Sequence, residues 1–133
     1  MKKRSFTIYR RIKISPEAFF DAISDPRKIK KWSGQKGTIR LRDGGKMSLF
    51  DGWVTGQVVE FVPDSRLVYS WKPPDWDEEI ESLVEISIFP DVSALRIKLK
   101  HSGFPDDKSM LNHRSGWNEF FFDPLKNYFT GSE

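Results

Sequence analysis

Two histidines, one acidic loop and a set of large aromatics are the residues of this chain that have chemistry to offer. His101 closes a run in which Leu95, Ile97 and Leu99 alternate with Arg96, Lys98 and Lys100, so its imidazole falls on the apolar face. A half-buried imidazole in that position can anchor a polar ligand head or act as a base. It can equally be a hydrogen-bonded residue at a strand end. His113 falls in the first turns of the last helix and is expected to face solvent. Two histidines without acidic residues at ligand spacing do not make a metal site, and the lack of cysteine removes thiolate catalysis, disulfides and cysteine-ligated zinc. Asp75, Asp77, Glu78, Glu79 and Glu81 crowd one loop without the spacing of a calcium loop, and a surface acidic run is no glycosidase pair. Gly44-Gly45 serves a turn and opens no helix, so it does not read as a phosphate loop. No serine-nucleophile motif is present. No catalytic set, cofactor or metal is therefore expected. Trp76, among prolines and acids in residues 73–79, is either an exposed contact for a ligand or partner, or a plug folded back on the core.

The elements that must position these groups are a sheet and a helix. In residues 116–129, Trp117, Phe121, Leu125 and Tyr128 recur at i, i+4, i+8 and i+11, a single stripe that Phe120 and Pro124 widen. A helix so aromatic needs a broad surface to cover it. Pro124 lacks an N–H and crowds the carbonyl four residues back, which predicts a bend near residues 120–124. Upstream, residues 5–14 alternate as a strand with Phe6, Ile8, Ile12 and Ile14 on one face and Arg10 breaking it, as at an edge or opening. Ser15-Pro16 and Asp25-Pro26 then read as N-cap and first-turn pairs of two short helices, the second over residues 27–32 with Ile29 and Trp32 turned inward. From Thr38 the text is strands and turns. Ile39 and Leu41 precede a hairpin turn at residues 43–45, and a strand over 46–50 turns at Asp51-Gly52. Val54, Val58 and Val62 share a phase, Leu67, Tyr69 and Trp71 another, and Val84, Ile86 and Ile88 a third. The count is one strand, two short helices, six more strands and a long closing helix. An antiparallel α+β meander follows, one face on the core and one in water.

The 133 residues suit one domain over residues 1–133, with 38% hydrophobic content concentrated in large side chains, 11 Phe and 5 Trp among them. No apolar run reaches the roughly 18–20 residues of a transmembrane helix. The basic start lacks the apolar segment of a signal peptide, so no membrane partner and a cytoplasmic location are expected. Charge is uneven. Residues 1–46 hold 14 Lys/Arg and 4 Asp/Glu, and residues 47–133 hold 8 and 15. A solvated surface or an acidic protein partner accounts for this, and no nucleic-acid motif accompanies it.

Several stretches in order resemble a known family. Residues 44–52, Gly-Gly-Lys-Met-Ser-Leu-Phe-Asp-Gly, are followed by Val54-Thr55-Gly56, Val62-Pro63 and Leu67-Val68-Tyr69-Ser70-Trp71. Gly103-Phe104-Pro105 and the Gly116-Trp117 helix with Phe121 and Phe122 complete the series. This succession, over about residues 5–129, resembles the proteins related to activators of the Hsp90 ATPase. The resemblance implies a helix-grip fold of the START/Bet v 1-like superfamily: a curved antiparallel seven-stranded sheet wrapped around a long C-terminal helix, with two short helices after strand one. It also implies an Hsp90-type chaperone as a partner. The eukaryotic co-chaperones carry a further N-terminal domain, and the resemblance here is to their C-terminal-type module.

A sheet gripping a helix leaves a concave seam for a small apolar molecule. Its expected wall is Met47, Leu49, Val58, Tyr69, Trp71, Val84, Ile86, Leu99, His101, Trp117, Phe120 and Phe121, although such aromatics also simply fill cores. The favoured expectation is a non-enzymatic binding or regulatory module, monomer or homodimer. The alternative is a polyketide cyclase or hydratase, a kind of enzyme the same superfamily includes, using His101 with Tyr69 or Arg96.

Overall fold

Strict alternation in the two best-patterned strands sets the sheet. In the computed structural model, which describes residues 4–130, β7 (Leu95–Ser102) buries Leu95, Ile97, Leu99 and His101 and turns Arg96 and Lys100 to solvent. It pairs antiparallel with β1 (Ser5–Ile12) and β6 (Ser82–Pro90), in registers that set Ile8 and Ile86 opposite Leu99. Because side chains alternate with a period of two, a slip of one residue would turn this whole apolar set to water. The strands β2 (Thr38–Ile39), β3 (Lys46–Leu49), β4 (Val54–Val62) and β5 (Arg66–Trp71) complete one antiparallel sheet in the order β1-β7-β6-β5-β4-β3-β2. The curved sheet wraps a long C-terminal helix, and two short helices follow β1, the expected helix-grip α+β fold. Lys2 and Lys3, part of the basic N-terminal region, lie outside the described residues.

The short helices form as local chemistry dictates. α1 (Pro16–Ser24) starts where Ser15 Oγ accepts from the Ala18 N–H at 3.1 Å, and α2 (Pro26–Ser33) where Asp25 accepts from the Arg27 N–H at 2.8 Å. Gly34, at φ 77°, ends α2 in the left-handed conformation that glycine adopts without penalty. Ile29 and Trp32 are buried, and the Trp32 ring meets Phe121 edge-on at 5.4 Å. The pair thereby seals one end of the core against the closing helix.

Strand phase departs from the alternation in two places. β1 ends at Ile12 rather than at residue 14. In β4, Val58 pairs with Tyr69 but Glu60 with Val68, so a bulge inserts one residue. Val54 and Val58 are buried, whereas Val62, expected in the same phase, is 48% exposed.

The closing helix has three parts: α3 (Asp107–Gly116), one wide i→i+5 segment over Trp117–Phe122, and α4 (Asp123–Thr130). The wide segment immediately precedes Pro124, and the Asp123 N–H reaches back to the Asn118 carbonyl. Widening the turn before a proline relieves the crowding of its ring on the carbonyl of residue 120, and the irregular winding falls within the region where Pro124 is expected to disturb the helix. The slower angular advance keeps Phe121 and Phe122 both buried, with Trp117 and Leu125. Phe120, expected to widen the buried stripe, is instead turned outward. Burial of each large side chain stabilises the fold by about 1.5–3 kcal/mol, so this face anchors the helix to the sheet. Arg10, the break in the apolar face of β1, lies 5.4 Å over the Phe122 ring and donates to the Asn118 side chain. It closes the edge of the seam.

Candidate functional site

β5 and β7 end, and β6 begins, at the same end of the sheet's strands. This brings Trp71, Ser82 and His101 together, with Trp117 of the wide helical segment above them. The Trp117 indole N–H donates to His101 Nδ1 at 2.9 Å, so that nitrogen carries no proton. His101 Nε2 therefore bears the hydrogen and donates to Ser82 Oγ at 2.8 Å, while the Ser82 hydroxyl donates to the Trp71 carbonyl at 2.8 Å. A second relay mirrors the first. The Trp71 indole N–H donates to His113 Nε2 at 3.1 Å, and His113 Nδ1–H donates to the Ser109 carbonyl at 2.9 Å. The two imidazoles stand 5.4 Å apart and nearly perpendicular, neutral and in opposite tautomers.

This geometry limits their chemistry. His101 is completely buried, and burial, with His113 adding to it, holds it well below the usual imidazole range. Burial also lowers His113, opposed by its bond to the Ser109 carbonyl and by the charge of Asp75. All four ring nitrogens are engaged, and neither histidine presents a free base. Tyr69 is fully buried, which pushes its phenol far above the ordinary value, and Arg96 lies exposed on the opposite face of the sheet. His113 is half-buried rather than turned to solvent as expected. Its helix carries no apolar stripe, so only the packing of α3 onto Trp71 and Trp76 reveals its inward side.

Beside the relays an open pocket of about 540 Å³ is built from four parts of the chain. Phe50 and Trp53 come from the β3–β4 hairpin tip, where Phe50, Asp51 and Gly52 adopt successive positive φ angles of 56°, 58° and 84°. Two adjacent non-glycine residues in that region store strain, and the tip is held by the Lys36 N–H to Asp51 carboxylate bond at 2.7 Å and its reciprocal backbone bond at 2.9 Å. Trp71, Asp75 and Trp76 come from β5 and the loop after it. Ser109, Asn112, His113 and Gly116 come from α3, and Trp117, Phe120 and Phe121 from the wide segment, with Gln35 in the connection after α2 completing the lining. Trp76 is folded back, 9% exposed, against Phe104 and His113.

Of the residues expected to wall a cavity, Trp71, Trp117, Phe120 and Phe121 line this pocket. Met47, Leu49, Val58, Tyr69, Val84, Ile86, Leu99 and His101 are buried in the core, outside the lining. Alternation identifies the inner face of a strand but not which end of the seam stays open. Phe50, Trp53, Asp75 and the α3 residues, which also line the pocket, carry no such mark beyond a tryptophan directly after an Asp-Gly turn. Among the described residues no group of His, Asp and Glu is arranged to hold a metal ion, and no helix is long and apolar enough to cross a membrane.

Comparison with known proteins agrees with this architecture. The family model for activator of Hsp90 ATPase homolog 1-like protein matches residues 13–130. The activator of 90 kDa heat shock protein ATPase homolog 2 of Mus musculus is 28% identical over 98 residues, 74% of this chain and 29% of the mouse protein. The corresponding homolog of Dictyostelium discoideum is 27% identical over 119 residues, 89% of this chain and 31% of its own length. The chain thus spans less than a third of either relative. The crystal structure of an HSP90 activator from Plasmodium falciparum, 27% identical, superposes with a TM-score of 0.85 over 96% of both chains. The chain belongs to the activator of Hsp90 ATPase homolog 1-like family.

Proposed function

We propose that this domain is a non-enzymatic binding module that holds a small hydrophobic ligand where the closing helix meets the β3–β4 hairpin. The observation that carries the reading is an aromatic-lined pocket of about 540 Å³, within the range of small-molecule sites, beside two histidines with no free ring nitrogen. His101, the candidate base of a cyclase or hydratase, is consumed in the relay and lies outside the pocket lining. The direct test is titration with a neutral fluorescent naphthylamine. Saturable one-to-one binding, weakened about tenfold or more by Trp53→Ala without loss of folding, is the expected result. Binding that never saturates, or that ignores the substitution, would remove the proposal.

Docking on an Hsp90-type chaperone is the second reading, supported by the names of the relatives, which are activators of that ATPase. The module corresponds to less than a third of those relatives, so docking rather than full activation is the activity proposed here. Calorimetry against the chaperone of the same host should register binding. An absence of heat, together with no retention in a pull-down, would sink it.

A further inference from the structure

The polarity of the pocket narrows the class of ligand, provided the pocket is a ligand site as proposed above. Its aromatic walls meet at steep angles: the Trp53 and Phe50 rings stand at 73° and 70° to Trp71, with centroids 6.3 Å and 6.5 Å away. Trp76 adds a further indole on the side of His113, 5.4 Å from that imidazole. Aromatic rings carry negative π faces that favour positive charge, and seven Phe and Trp rings line this pocket. The electrostatics point the same way. Asp75 is the only carboxylate in the lining, and no Lys or Arg lines the pocket among the described residues. Asp75 makes no ion pair with any described Lys or Arg, so its charge is not already neutralised. His113, the one lining group able to become cationic, accepts the Trp71 N–H and is thereby kept neutral. The remaining polar groups, from Gln35, Ser109 and Asn112, are uncharged.

We infer that the pocket takes a small organic cation, an alkyl- or arylammonium group seated against Trp53, Trp71 and Trp76 with Asp75 at its edge. An apolar ligand without charge would leave the carboxylate unused, and an anion would meet both it and the π faces.

The discriminating experiment compares benzyltrimethylammonium with its neutral carbon isostere, neopentylbenzene, by quenching of tryptophan fluorescence in the intact domain. The cation is expected to bind about tenfold more tightly than the isostere. Asp75→Asn, at an exposed position, should weaken the cation about three- to fivefold and leave the isostere unchanged. Equal affinities, or an unaltered ratio in Asp75→Asn, would overturn the cation assignment while leaving the pocket as a hydrophobic site. Binding of neither compound would overturn both readings.

Discussion

Replacing Ser82 by Ala removes one oxygen from the core and leaves two partners orphaned. Ser82 Oγ accepts from His101 Nε2–H and donates to the Trp71 carbonyl, both at 2.8 Å, and the residue is 2% exposed, so solvent cannot take its place. The change in volume is small, and the cavity contribution is minor beside the unmade hydrogen bonds. Each buried group left without a partner costs about 1–3 kcal/mol, with the carbonyl toward the low end because it can accept elsewhere in the ladder. The expected loss is therefore about 2–4 kcal/mol, which corresponds to a fall in Tm of roughly 10 °C for a domain of this size. Urea unfolding at pH 7.5 would read it as a lower midpoint at constant slope. Nitrogen NMR of the imidazoles supplies the accompanying signature: in the unmodified protein His101 should show an unprotonated Nδ1 and a protonated Nε2, and His113 the reverse. A stability loss below about 0.5 kcal/mol, or both histidines in one tautomer, would refute the relay.

Acidification should destabilise the fold. Both histidines have lowered pKa values when folded, so the unfolded chain, with imidazoles near 6.5, binds protons that the fold refuses. Stability is then complete above about pH 7 and falls as pH drops below about 6.5 toward the folded values. Urea midpoints at pH 7.5 and 5.5 should differ less in His113→Gln than in the parent; identical differences would count against the assignment. Gly56→Ala should cost about 3 kcal/mol, because a Cβ at Gly56 would lie 1.9 Å from the Ser70 carbonyl oxygen, a backbone atom that cannot swing aside as a side chain would. Thermal unfolding within 1 °C of the parent would show that the β4–β5 pairing can give way there.

How far the residues alone carried the reading depends on the range of the interaction involved. The caps at Ser15 and Asp25 and the turn at Asp43-Gly44-Gly45 are local, each a matter of a few neighbouring atoms, and they were legible. So was the alternation of β7, because period two is written into every second residue. The aromatic stripe of Trp117, Phe121 and Leu125 is buried as its spacing predicts, yet Phe120 is not, because Pro124 widened the turn and altered the angular advance. Val62 escaped for a related reason: a bulge changes phase without a consistent mark in composition.

By itself, then, the sequence determined the elements, their order and the inner face of most strands, since these follow from steric and apolar preferences repeated along the chain. Only the tertiary structure decided that His113 turns inward and that Phe50, Trp53 and Asp75 share a pocket with it. The Trp71–His113 bond joins residues 42 apart, and the His101–Ser82 bond residues 19 apart. Neither pairing leaves a periodic trace, because each exists only once the strands and the closing helix have met.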